Sequence, residues 1–184
     1  MRKSLAKMSR VLTFQLRRED ALSFEYADLA TGLLITWIVG IGRYWDHPNA
    51  GILQYLGFGS VIYVFLLGGL LWLVARPLAS KELTYFRSVA FVSLTSAPAL
   101  LYSIPVERFM EMDAAATANA WFLVGVATLR VGYLAYFYRS VFRLTVVRAV
   151  VATLLPLTLI VVSLALLNLE KAVFSIMGGF REST

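Results

Sequence analysis

The chain has no cysteine and one histidine, His47. Without cysteine there is no disulfide framework, no thiolate nucleophile and no cysteine-ligated metal. One imidazole cannot build a multi-histidine metal centre. No HExxH, P-loop, GxSxG or glycine-rich dinucleotide fingerprint occurs. The serines of the apolar runs have no histidine at their depth, since His47 sits in a turn near the end of the first run. The expectation is a protein without catalytic activity, cofactor or resident metal. Acidic residues are also scarce, 11 against 17 lysines and arginines. A basic balance suits anionic lipid as well as nucleic acid, and there is no soluble domain here to carry nucleic-acid binding.

Apolar residues are abundant instead. They make up 59% of the 184 residues, and the mean hydropathy is +0.73, where a soluble domain is about half apolar. The surplus falls in five blocks, 28–45, 52–75, 88–106, 115–138 and 149–167. Each has the length a helix needs to cross about 30 Å of hydrocarbon. The blocks are continuous and not alternating, which excludes barrel strands. Inside lipid the backbone must satisfy its own hydrogen bonds, so such blocks become helices. The fold expected is all-α, an integral membrane bundle of five transmembrane helices. It comprises a basic amphipathic segment (1–26), a five-span domain (27–168) and a short tail (169–184).

Charge sorts by side. Arg2, Lys3, Lys7, Arg10, Arg17 and Arg18 precede the first block. Arg76, Lys81 and Arg87 follow the second, and Arg139, Arg143 and Arg148 the fourth. Across five spans these twelve share one side, against Arg43, Arg108, Lys171 and Arg181 on the other. The bias places the N-terminus in the cytoplasm and the C-terminus on the opposite side, as in a bacterial inner membrane protein. Charges recur through the first 26 residues with no uninterrupted apolar core, unlike a signal peptide. Leu5, Met8, Leu12 and Leu16 fall at helical spacing, which suits an interfacial helix against anionic headgroups. The other reading is a basic tail that only sets orientation. Asp46, His47, Pro48 and Asn49 form a turn after the first block.

Four features carry the functional question. Gly32, Thr36 and Gly40 recur every four residues and give the first span a face of small side chains. Such a face packs closely on another span or on a second copy of the chain. Gly125 and Gly132 offer two more close-packing positions on the fourth. The third span is the most polar, with Ser93, Thr95 and Ser96, and a kink is expected at Pro98. A kinked polar span lines a cavity or is an ordinary packed helix. Pro156 interrupts the fifth span. Arg130 lies nine residues inside Arg139, about 13 Å deeper at ~1.5 Å per residue. A charge there costs on the order of 2.5 to 3.5 kcal/mol and calls for a partner or water. Candidates are Asp28 and the hydroxyls of Ser93, Thr95 and Thr153, or the arginine snorkels toward nearby tyrosines. Asp46, His47, Glu107, Glu111 and Asp113 cluster on the other side. Their spacing matches no metal-binding loop.

The Ser96–Leu101 run SAPALL with its mid-span proline, the tyrosines Tyr133, Tyr136 and Tyr138, and the five-pass, N-inside layout resemble the Yip-type membrane proteins. The resemblance covers spans 3 to 5. It implies a membrane-organising or partner-binding role without catalysis and transfers no functional residue. Two functions remain open. The first is a scaffold, assembly factor or accessory subunit that contacts lipids and other membrane subunits or itself. The alternative is a transporter or channel subunit that uses Arg130 and the polar third span.

Overall fold

The computed structural model describes residues 2–44, 51–78 and 82–179. No strand occurs among the described residues. The helices are α1 (Arg2–Leu12), α2 (Arg18–Leu22), α3 (Tyr26–Tyr44), α4 (Ile52–Tyr55), α5 (Phe58–Ala75), α6 (Tyr85–Leu94), α7 (Met112–Tyr136) and α8 (Val146–Gly179). Two 3-10 segments, Ala97–Ser103 and Val106–Arg108, follow α6, and a π turn, Phe137–Val141, extends α7.

Three of these are long and apolar enough to cross a membrane: α5, α7 with its π extension, and α8 over Val146–Ser163. Only 28%, 22% and 22% of their residues are buried within the protein. Large apolar side chains such as Leu66, Leu73, Trp121, Leu123 and Val161 therefore face outward. A soluble protein does not tolerate exposed apolar faces of that extent, whereas hydrocarbon does. The chain is thus a helical integral membrane protein. α3 has 19 residues, with Asp28 and Arg43 near its ends. At ~1.5 Å per residue it is about 28 Å long.

The third apolar block is not one kinked helix. α6 ends at Leu94, and after Thr95 and Ser96 the chain continues as the 3-10 segment. Pro98 explains the break. It has no N–H to donate and its ring excludes an α-turn before it, yet it fits the first turn of a new helix, where that N–H is unused. Thr95 closes the end of α6 by donating its hydroxyl to the Val92 carbonyl at 2.7 Å. Pro156, by contrast, lies buried within α8, which continues through it.

The broken run follows α3 in parallel. Gly32 faces Ser93, Thr36 faces Ser96 and Gly42 faces Ser103. α5 runs the opposite way beside them, with Gly57 against Gly40 and Gly68 against Val89. Residues Ser88–Leu94 of α6 are all buried. The main core lies at the end of the bundle where α6 begins. There Phe91 stacks on Phe137 with ring centroids 3.9 Å apart, and Phe142 meets Phe137 edge-on at 5.1 Å. The wider π turn brings the consecutive Phe137 and Tyr138 both inward, and the Tyr138 hydroxyl donates to the Leu71 carbonyl at 3.4 Å.

The first 24 residues complete this core. α1 packs on α3, and Val11, Leu16, Ala21 and Phe24 are buried. Met8 and Leu12 pack against the same cluster, while Leu5 is exposed. Phe14 adopts a left-handed φ of 57° between Tyr133 and Tyr136, with centroid distances of 4.8 and 5.7 Å. The Tyr136 hydroxyl donates to the Leu16 carbonyl at 2.9 Å.

Candidate functional site

Asp28 opens the first turn of α3, where its carboxylate accepts the Glu25 N–H at 2.9 Å. A carboxylate there satisfies an orphan donor and complements the helix dipole. Its charge partner is Lys7 of α1, at 2.8 Å. The pair is largely buried, with side-chain exposures of 3% for Asp28 and 15% for Lys7. Lys7 also donates to the Ser23 carbonyl at 2.6 Å. Asp28 is therefore engaged by Lys7, and not by Arg130 as its position at the start of the first span suggests. The cause is the folding back of the tail, which brings a cation within reach.

Further polar contacts fasten the same region. Arg10 meets Asp20 at 2.6 Å, and Arg18 meets Glu82 at 2.5 Å. Arg87 donates to the Leu22 carbonyl at 2.9 Å and to the Glu82 carbonyl. Arg18 also donates to the Val141 carbonyl at 3.5 Å, so a tail, a connector and the π turn at the end of α7, far apart in sequence, are held at one end of the bundle.

The small-residue face of α3 is occupied within the chain. A Cβ on Gly32 would lie 2.2 Å from the Ser93 Oγ, and one on Gly40 would lie 2.6 Å from the Gly57 carbonyl oxygen. Thr36 donates to the Gly32 carbonyl at 2.8 Å and its hydroxyl lies 2.7 Å from that of Ser96. Ser93 donates to the Ala90 carbonyl at 2.8 Å. The hydroxyls of Ser93, Thr95 and Ser96 are thus used in local back-bonds and in the α3 contact. Ser88, Ser103 and Thr153 have buried hydroxyls without a hydrogen-bond partner among the described residues. Gly132 accommodates the Phe14 ring, where a Cβ would sit 3.4 Å away. Gly125 has nothing within 4 Å and faces outward on α7.

Arg130 projects from α7 toward α5, with its guanidinium carbon 5.7 Å from the Tyr63 ring centroid. Its Nε is buried and has no hydrogen-bond partner among the described residues. Tyr102, on the 3-10 segment, lies close enough to feel the charges of both Arg130 and Arg43, and Arg43 stands 5.5 Å from its ring. The Tyr63 face supplies a cation–π contact where the sequence pointed to a carboxylate, to hydroxyls or to snorkelling toward the nearby tyrosines. Tyr63 and Tyr102 were missed as members of the site. A tyrosine within an otherwise apolar run is the signal that marks each of them.

Asp46 and His47 lie outside the described residues, as do Trp45, Lys81 and the Glu107 side chain. Among the described residues no three His, Cys, Asp or Glu groups converge as metal ligands. The assembled site is a buried ion pair that docks the tail, a packed hydroxyl layer and one aromatic-faced arginine. It can hold charge and fix helices, and it presents no nucleophile–base pair. Comparison with family models, with characterised proteins and with solved structures finds no match to this chain.

Proposed function

We propose that this protein is a five-span membrane protein, with its N-terminus in the cytoplasm, that works without catalysis as a scaffold, assembly factor or accessory subunit. The observation that carries the reading is the direct packing of the polar interior. α3 and the third run approach so closely at Gly32 and Ser93 that a single methyl group does not fit. Gly32, Thr36, Gly40, Ser93 and Ser96 are spent on helix contacts and local bonds, which leaves the outward faces for lipids and partner subunits.

The span count draws support from the third run. α6 contributes about 15 Å and its ten residues are followed by seven 3-10 residues worth about 14 Å. Together they approach the thickness of the hydrocarbon core. The contacts of the tail with the connector and with the α7–α8 turn support the charge sorting, because they gather the basic segments at one end. This end faces the anionic inner leaflet of a bacterial inner membrane in our reading. α1 then lies at the interface, with Arg2, Lys3 and Arg10 on its exposed side. The resemblance to the Yip-type proteins points the same way.

The second reading, a transporter or channel subunit, is favoured by Arg130, whose Nε has no hydrogen-bond partner among the described residues. One experiment separates the two. The chain has no cysteine of its own, so Ser93→Cys and Ser96→Cys can be probed with a membrane-impermeant thiol reagent from each face. The scaffold reading expects neither to be labelled in the folded protein. Labelling of either from one face overturns it in favour of an aqueous pathway. A C-terminal reporter fusion that reads cytoplasm overturns the five-span layout.

A further inference from the structure

A groove of about 500 Å³ runs down the outside of the bundle between α5 and α8. Its walls are Phe65, Leu66, Leu70 and Leu73 of α5, Ile160 of α8, and Tyr85 at the start of α6. Gly69 forms the floor, since a Cβ there would come within 3.3 Å of the Tyr85 ring. From Ala75, the last residue of α5, to Phe65 is ten residues, or about 15 Å of helix. That is the depth of one leaflet of a 30 Å hydrocarbon core.

The upper end of the groove is polar in an ordered way. The Tyr85 ring meets Trp72 edge-on at 6.1 Å, and the Arg76 guanidinium lies over Trp72 at 5.1 Å. Tryptophan and tyrosine of this kind sit at the headgroup level of a membrane. Beyond the groove the first charge on α5 is Arg76 and the first on α8 is Arg148, both basic. Glu82, three residues before Tyr85, is bound by Arg18 at 2.5 Å. A second copy of this chain docking symmetrically here would bring the same cations face to face. A lipid with an anionic headgroup complements them.

We infer that this groove is a binding site for an anionic phospholipid of the leaflet at the basic end. One acyl chain lies along Leu73, Leu70 and Leu66, and the phosphate lies at Arg76. The inference rests on the membrane reading above and adds a defined lipid site to it.

The test uses the full chain in two single-tryptophan forms, reconstituted in phosphatidylcholine vesicles. One keeps Trp72, with Trp37→Phe, Trp45→Phe and Trp121→Phe. The other keeps Trp121, which is 70% exposed on α7. Quenching is measured with chain-brominated phosphatidylglycerol and chain-brominated phosphatidylcholine. The expected result is a preference for the anionic quencher at Trp72 of about fivefold, the factor one basic residue contributes near a membrane surface. Trp121 should show no preference. Arg76 is exposed, so Arg76→Gln leaves the packing in place and should bring the ratio at Trp72 to about one. Gly69→Leu fills the groove, keeps Arg76, and should lower quenching by both lipids at Trp72. Equal quenching by the two lipids at Trp72 with Arg76 present overturns the site and leaves the membrane reading standing. An unchanged ratio in Arg76→Gln also overturns the assignment. If neither lipid quenches either tryptophan, both the site and the membrane reading fall.

Discussion

Replacing Lys7 by Met should release the N-terminal segment from the bundle. The Asp28 carboxylate, 3% exposed, would keep the Glu25 N–H but lose its cation. Leaving one member of a buried ion pair uncompensated costs about 3 to 5 kcal/mol. Asp28→Asn is milder, because the amide still accepts a hydrogen bond and Lys7 retains the Ser23 carbonyl. The loss there is about 1.5 to 3 kcal/mol, the worth of a hydrogen bond to a charged group. The double variant should cost less than the two single changes added together, by a coupling of about 1.5 to 3 kcal/mol. Limited trypsin digestion of the purified full chain reads this directly, since Arg17 lies between α1 and α2 and Arg18 is the first residue of α2. When opening and reclosing are fast against cleavage, the rate follows the population of the detached state. A 3 kcal/mol loss then raises cleavage in the tail by about two orders of magnitude. Cleavage rates within twofold of each other for the original chain and Lys7→Met would show that this pair does not hold the tail. Strict additivity in the double variant would show that the two side chains act independently.

Two further outcomes follow from the packing. Gly32→Ala and Gly125→Ala should change stability in mild detergent with opposite signs. The first forces α3 away from the Ser93 backbone, whose carbonyl carbon would be 2.8 Å from the new methyl group, at about 1 to 3 kcal/mol for overpacking. The second meets nothing within 4 Å and gains up to about 1 kcal/mol of helix propensity. Denaturant unfolding checks both, and equal effects would refute the close approach of α3 and α6. Arg130→Met gives up a cation–π contact worth about 0.5 to 2 kcal/mol. It also removes an intramembrane charge costing on the order of 2.5 to 3.5 kcal/mol, so the same assay should show unchanged or higher stability. A loss above ~2 kcal/mol would reveal a counter-ion for Arg130.

What could be read from the chain depended on how local each signal is. The length and apolarity of the second, fourth and fifth blocks mark α5, α7 and α8, because one helix against hydrocarbon needs only its own residues to be legible. The helical spacing of Leu5, Met8 and Leu12 likewise marks α1, although Leu5 is exposed and Leu16 lies beyond the helix end at Leu12, after the left-handed turn at Phe14. Pro98 indicated a disturbance in the third block. Whether it kinks or breaks the helix depended on the fit of α3 against Ser93, Ser96 and Ser103, which is a tertiary matter. The small face of α3 was visible as a pattern, while its partner was not, since glycines at four-residue spacing report closeness and not identity.

The sequence by itself determined that this is an all-helical membrane protein with a basic, amphipathic start, because composition and periodicity act through each segment's own solvation. Only the tertiary structure decided that the tail completes the core, that Asp28 is held by Lys7, and that Arg130 faces Tyr63. These pairings join residues 21 to 123 positions apart. They rest on helix registers, on the turn at Phe14 and on the π turn at Phe137, and no local window of the chain contains that information.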